Sequence, residues 1–73
     1  MKLKQTNSVL NINGANYIFN STLTILTLMT YLGFNQNVIV IDYNGMILDK
    51  NLWGHTYLKN KDCLEILSIA GGG

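Results

Sequence analysis

The sequence contains no proline and no arginine, one cysteine and one histidine. Each shortage removes a class of explanation. A lone Cys63 cannot form a disulfide within the chain, and one Cys with one His falls short of the ligand set of a structural zinc site. A small domain usually needs disulfides, a metal or very regular packing, so the core has to come from packing alone. The absence of arginine removes the side chain best suited to bidentate phosphate and base recognition. The five lysines do not replace it: Lys2 and Lys4 form one pair, Lys59 and Lys61 another, and Lys50 stands apart. With a formal net charge of +1, nothing argues for a nucleic-acid or membrane surface. Apolar runs stop far short of the roughly 20 residues of a membrane span. The opening Met1-Lys2-Leu3-Lys4-Gln5 lacks the apolar stretch of a signal peptide. The expectation is a protein of a reducing compartment: the cytoplasm, or the plastid stroma if the chain is organelle-encoded. The abundance of Asn, Ile, Leu and Lys beside absent Arg and Pro fits an AT-rich coding genome of that kind.

What is present suffices for one domain over residues 1–73, since 48% of the residues are hydrophobic. At this length only about 60% of the unfolded chain's surface is buried on folding. From Ser8 to Asn13 the sequence alternates, with Leu10 and Ile12 on one face and Val9, Asn11 and Asn13 on the other, which is strand periodicity. Asn13-Gly14 then predicts a type I′ turn, because both central residues need positive φ. Asn16-Tyr17-Ile18-Phe19 returns as a second strand rich in aromatic and β-branched residues.

Asn20, Ser21 and Thr22 are helix N-cap types. They precede a segment, Leu23 to Leu32, with apolar residues at Ile25, Leu28, Met29 and Leu32, the stripe of a helix packed on one side. Leu26 lies off the stripe's centre, and Thr24, Thr27 and Thr30 face elsewhere. Gly33 stands where a C′ glycine ends a helix. After a loop over Phe34 to Asn37, the run Val38-Ile39-Val40-Ile41 suits a central strand covered on at least one face. Asn44-Gly45 predicts a second tight turn, with Met46-Ile47-Leu48 leaving it as a short strand. Leu52 and Trp53 are expected to plug the open end of the core; Trp53 as a partner anchor is the less favoured reading. His55 has no nucleophile and orienting group beside it in sequence and reads as a surface residue.

Leu58-Lys59-Asn60-Lys61-Asp62 reads as a polar turn before the last strand, Cys63 to Ile69. There Leu64 and Ile66 face the helix, and Cys63, Glu65, Leu67 and Ile69 face away. Leu67 and Ile69 could form an exposed docking surface or be partly covered by a neighbouring strand. Nothing next to Cys63 in sequence would activate its thiol, so it reads as an inert strand residue. The chain ends in Ala70-Gly71-Gly72-Gly73. Glycine lacks a Cβ and lies close against other surfaces. Such a tail can be threaded into a narrow channel with its carboxylate as the reacting group; the alternative is a frayed terminus.

The order hairpin, helix, strand, short strand, terminal strand predicts an α+β fold of β-grasp type. It has a mixed sheet of four to five strands, one main helix on one face, the first and last strands paired in the middle, and a flexible tail over about residues 70–73. The motifs Asn44-Gly45-Met46-Ile47, Leu58-Lys59-Asn60-Lys61-Asp62 and Leu64-Glu65-Ile66-Leu67 running into Ala70-Gly71-Gly72-Gly73 then resemble those of a family, the ubiquitin-like sulfur carriers of thiamine biosynthesis. The resemblance covers residues 8–73. It implies a protein that is no enzyme but a co-substrate. An E1-like adenylyltransferase, using ATP, adenylates the Gly73 carboxylate. Sulfur from a cysteine desulfurase or relay protein replaces the adenylate, and the resulting thiocarboxylate is used by thiazole synthase. In that scheme Gly71 and Gly72 thread into partner enzymes, Leu67, Ile69 and Ala70 dock, and no metal or cofactor is held. Rival readings are the small subunit of molybdopterin synthase, a ubiquitin-like protein modifier, and a plain binding module. The chain departs from the family's usual Lys-x-Gly-Asp turn by placing Lys61 at the glycine position, which implies strain if that residue needs positive φ.

Overall fold

Two asparagine-glycine turns set up the sheet. In the computed structural model, which describes residues 7–69, strands β1 (Ser8–Ile12) and β2 (Ala15–Phe19) pair antiparallel. They are joined by Asn13 at φ 51° and Gly14 at φ 89°, the positive-φ pair of a two-residue hairpin. The turn is braced by the Asn11 side chain, whose Oδ1 accepts from Gly14 N–H at 3.1 Å. The second turn repeats the device: Asn44 lies at φ 53° and Gly45 at φ 94°, and Asp42 Oδ1 accepts from Gly45 N–H at 2.8 Å. It joins β3 (Ile39–Tyr43) to the two-residue β4 (Met46–Ile47).

The last strand, β5 (Cys63–Ser68), lies in the middle of a five-stranded sheet of order β2-β1-β5-β3-β4. It runs parallel to β1 and antiparallel to β3. With helix α1 (Ile25–Leu32) packed on one face, this is the β-grasp arrangement expected from the sequence. Leu10, Leu64, Ile66, Ile39 and Ile41 meet Ile25, Leu28 and Met29 from the helix, with Trp53 and Leu58 closing the core. Ile25, Met29, Ile41 and Leu64 are fully buried, each contributing about 1.5–3 kcal/mol by leaving water.

The helix starts later than the sequence pattern predicts. Its N-cap is Thr24, whose Oγ1 accepts from Thr27 N–H at 3.1 Å, and not Asn20, Ser21 or Thr22. A second constraint decides this: Ile25 N–H donates to Thr56 O at 3.0 Å and Leu58 N–H to Leu23 O at 2.8 Å. The segment before the helix is thereby tied to residues 56–58 by an isolated antiparallel bridge, Thr24 to Tyr57, and the helical turn begins only after it. The C-terminus follows expectation. Gly33, at φ 81°, donates to Thr30 O at 3.2 Å and Phe34 N–H to Met29 O at 3.2 Å, the paired bonds of a Schellman motif.

Further positions depart from expectation: β4 ends at Ile47, without Leu48, and β5 ends at Ser68, without Ile69. Val38 closes a 3₁₀ turn, Gln36–Val38, and β3 starts one residue later. Leu32 is half-exposed at the end of the helix stripe. Leu52 is 48% exposed while Trp53 is 1% exposed, so only the tryptophan plugs the core. Both lie in a 3₁₀ segment, Lys50–His55, capped by Asp49. At three residues per turn, neighbours point about 120° apart, and Trp53 takes the inward direction, with Nε1–H donating to Leu48 O at 3.2 Å. His55 is exposed, as expected.

Candidate functional site

The feature of this sheet with a bearing on function is how firmly it grips the end of β5. On the β3 side the ladder runs to its last residue, with Ile39 opposite Ser68, and continues as Ile69 N–H donates to Val38 O at 2.8 Å. On the β1 side the parallel ladder covers only Asn11–Cys63 and Ile12–Leu64, because β1 ends where the hairpin turns. Asn13 takes over there. Its N–H donates to Leu64 O at 2.9 Å, its Oδ1 accepts from Ile66 N–H at 2.6 Å and its Nδ2 donates to Ile66 O at 3.4 Å. One side chain thus substitutes for the missing strand residue. The left-handed conformation that asparagine tolerates makes the turn and aims the carboxamide at β5.

Ala70, Gly71, Gly72 and Gly73 lie outside the described residues, as do the tail and docking roles assigned to them. The side chains just before them are described. Leu67 and Ile69 are each 46% exposed, so both keep solvent-facing apolar surface beside the neighbouring β3. Leu67 stands opposite half-buried Val40 of β3 on the sheet face away from α1. One pair further along that face, Glu65 stands opposite Asp42, two carboxylates side by side with no ion pair to either among the described residues. Cys63 begins the same face, exposed and free, with Sγ 3.8 Å from Asn11 Oδ1. Five residues of strand at about 3.3 Å each separate it from Ser68, so its thiol does not reach the strand's carboxyl end.

The opposite end of β5 is held by a polar cluster whose coherence sequence reading missed. Asp62 is 5% exposed. Its Oδ2 accepts from the Tyr43 hydroxyl at 2.7 Å and from Lys59 N–H at 2.7 Å, and its Oδ1 from Asn44 Nδ2 at 3.1 Å. Lys59 Nζ lies 3.1 Å from the Tyr43 oxygen. Burial by itself would raise the Asp62 carboxyl, but the three hydrogen bonds and the Lys59 charge outweigh it and hold the group below the ordinary carboxylate range. Burial, with Asp62 beside it, raises Tyr43 despite Lys59, and the hydrogen bond to Tyr43 followed by the Asp62 charge raises Lys59. Lys61 adopts φ 72°, the conformation whose strain its place in the turn implied. Its N–H donates to Val9 O at 2.7 Å. The cluster therefore fixes where β5 begins, Asn13 clamps it at Leu64 and Ile66, and β3 holds its end.

Among the described residues no group of three or more His, Cys, Asp or Glu is placed to hold a metal. Nor does any described side chain at the end of β5 form a nucleophile–base pair. What the arrangement offers chemically is a central strand gripped on both sides and held through Ile69, with two partly exposed aliphatic side chains at its carboxyl end.

Comparison with known proteins agrees with this geometry. The sequence model of the ThiS family matches residues 8–73. The chain is 37% identical over 62 residues to the uncharacterized protein ycf40 of Trieres chinensis, covering 85% of each. To the protein of that name from Porphyra purpurea it is 36% identical over 67 residues, covering 92% of this chain and 94% of the other. Among solved structures, the crystal structure of thiamine biosynthesis protein ThiS from Geobacter metallireducens superposes with a TM-score of 0.76 at 26% identity, covering 89% of this chain and 99% of that one. The solution NMR structure of a thiamine biosynthesis protein from the same organism gives 0.71 at 26% identity, over 89% and 87%.

Proposed function

The chain belongs to the ThiS family, and from that premise we propose that it is a sulfur carrier whose Gly73 carboxylate is the cargo site. A carboxylate is a poor electrophile. Attack of its oxygen on the α-phosphorus of ATP expels pyrophosphate and leaves an acyl adenylate, whose acyl carbon a sulfide-level sulfur nucleophile attacks as AMP departs with the electron pair of the broken C–O bond. The product is a thiocarboxylate on Gly73 that supplies the sulfur of the thiazole ring of thiamine. The partners in this reading are an E1-like adenylyltransferase, a cysteine desulfurase or sulfur relay protein, and thiazole synthase. The chain itself performs no catalysis and holds no cofactor; ATP belongs to the activating enzyme.

The observation that carries this reading is the double grip on β5. It holds the strand through Ile69, the residue before Ala70-Gly71-Gly72-Gly73 in sequence, with Leu67 and Ile69 each 46% exposed. Glycines at 71 to 73 leave no side chain to obstruct a narrow channel. Leu67, Ile69 and Ala70 are the proposed docking residues. The compartment proposed is the cytoplasm, or the plastid stroma for an organelle-encoded chain. Among the described residues no helix is long and apolar enough to cross a membrane.

The test is an intact mass of the protein after incubation with ATP, a cognate activating enzyme and a sulfur source. The expected result is the exchange of one oxygen for sulfur, mapped to Gly73, and its discharge by thiazole synthase. Discharge only by a molybdopterin synthase large subunit would move the protein to that pathway. No exchange, with an activating enzyme proven on another carrier, would remove the carrier reading altogether.

A further inference from the structure

From Gln5 to Ile41 the chain carries no Asp, Glu, Lys, Arg or His. The fold gathers most of this uncharged stretch into the β1–β2 hairpin and α1, whose own residues carry no charged side chain. The stretch is also rich in exposed aromatics. Between the hairpin and the helix lies an open groove of about 720 Å3, lined among others by Tyr17, Phe19, Leu28, Tyr31, Leu32 and Phe34. Tyr31 is 84% exposed and Tyr17 53%. Depletion of charge with enrichment of aromatics is the compositional mark of an interface centre.

The sheet's two edges differ in the same sense. β4 is two residues long, and a short edge gives little to pair with. β2 is five residues long and has no strand on its outer side among the described residues. It carries none of the usual protections, neither lysine, proline nor charge. In a two-residue hairpin the flanking residues Ile12 and Ala15 exchange hydrogen bonds, so Ala15, Tyr17 and Phe19 bond inward to β1. Asn16 and Ile18 then aim their N–H and C=O groups at the free edge.

We propose that β2 pairs antiparallel with β2 of a second copy of this chain about a two-fold axis at Tyr17, joining the two sheets into one. That register satisfies every outward group of the central segment, because Asn16 bonds Ile18 of the second copy and Ile18 bonds its Asn16. A two-fold contact is self-complementary, and an uncharged hairpin meets its own image without like-charge repulsion. At the axis the two Tyr17 side chains form a non-hydrogen-bonded cross-strand pair, the closer of the two kinds, on the groove side of the sheet. The antiparallel arrangement sends the two hairpin turns, and with them the carboxyl ends of the two β5 strands, to opposite ends of the joined sheet. The carboxyl ends of the two β5 strands lie away from the axis, so the dimer goes beyond the carrier reading and does not depend on it.

The test is sedimentation velocity of the full chain over a dilution series, wild type against Ile18→Lys. Ile18 is 72% exposed on the sheet face away from the helix, so the lysine leaves the core intact, as circular dichroism will verify. Wild type is expected to shift to a doubled mass with concentration, and Ile18→Lys to remain at monomer mass. As a second measurement, Tyr17→Cys in a Cys63→Ser background is expected to oxidise to a covalent dimer. Ile47→Cys on the other edge, 63% exposed, is expected not to. A wild-type chain that stays monomeric at the highest concentration overturns the proposal, even if its β2 edge captures an extended peptide of another protein. Equal dimerisation of Ile18→Lys, or equal cross-linking at residues 17 and 47, overturns it as well.

Discussion

The Tyr43 hydroxyl donates a 2.7 Å hydrogen bond to Asp62 Oδ2, tying the end of β3 to the turn that launches β5. Since Asp62 also accepts from Lys59 N–H and Asn44 Nδ2, removing its carboxylate strands several donors in a shielded site. Asp62→Ala is expected to cost about 2–3 kcal/mol, and Tyr43→Phe about 1 kcal/mol, read from urea unfolding midpoints.

The same cluster fixes the acid limb of stability. The Asp62 carboxyl is held below its ordinary value of 3.8, so the unfolded state binds the proton first. Its contribution is complete above that unfolded value and is lost as pH falls through the lower folded value. Tyr43 and Lys59 are raised. Their contribution is complete below their ordinary values of 10.0 and 10.5 and is lost as pH rises through the folded ones; Lys59 is exposed, so its share is screened. Unfolding free energy measured against pH should fall on both sides of a plateau. Tyr43→Phe should flatten both limbs. An unchanged acid limb in Asp62→Ala would remove Asp62 as its source.

Lys61 is the one residue other than asparagine or glycine with positive φ among the described residues. The left-handed region costs an ordinary side chain about 1–2 kcal/mol, part of which glycine's greater unfolded-state entropy offsets. Lys61→Gly is therefore expected to raise stability by about 0.5–1 kcal/mol. A destabilised variant would show that the lysine side chain holds the turn in some further way.

Local signals made the secondary structure legible: two Asn-Gly turns, the β5 alternation and the Gly33 stop are each short-range chemistry. Thr24 was obscured because Asn20, Ser21 and Thr22 are also good caps, and the choice among them is made by residues 56–58, distant in sequence. Asp62 read as turn polarity because its partner Tyr43 lies 19 residues away. Asn13 was legible as a turn residue but not as the clamp on Ile66, 53 residues off. Alternation told which way Leu67 and Ile69 point; their exposure depended on what the sheet places beside them.

Leu52 and Trp53 separate pattern from packing. Both are large and adjacent, yet only Trp53 is buried. Trp53→Ala is expected to cost about 3–5 kcal/mol, and Leu52→Ala under about 1 kcal/mol. Comparable losses would place Leu52 in the core after all.

Asn13→Gly separates the turn from the clamp. Glycine keeps positive φ at no steric cost but deletes both side-chain bonds to Ile66. Amide exchange at Ile66 should accelerate about tenfold, ~1.4 kcal/mol of lost protection, while amides of α1 stay protected. If Ile66 exchanges at its original rate, the ladder to β3 alone holds the strand and Asn13 is merely a turn residue.

Leu67→Glu tests the proposed docking face. The side chain is 46% exposed, so the fold loses little, within about 1 kcal/mol. The new carboxylate adds to Glu65 on the same strand face and to Asp42 opposite it, and it replaces an aliphatic contact beside the tail. If the activating enzyme covers this face, the KM for the carrier should rise at least about tenfold. The turnover number should hold, because Gly73 and its chemistry are untouched and the lost interaction is made equally in ground and transition states. A fall in turnover with KM unchanged would mean that Leu67 aligns the tail after docking. No change in either would place the docking surface elsewhere.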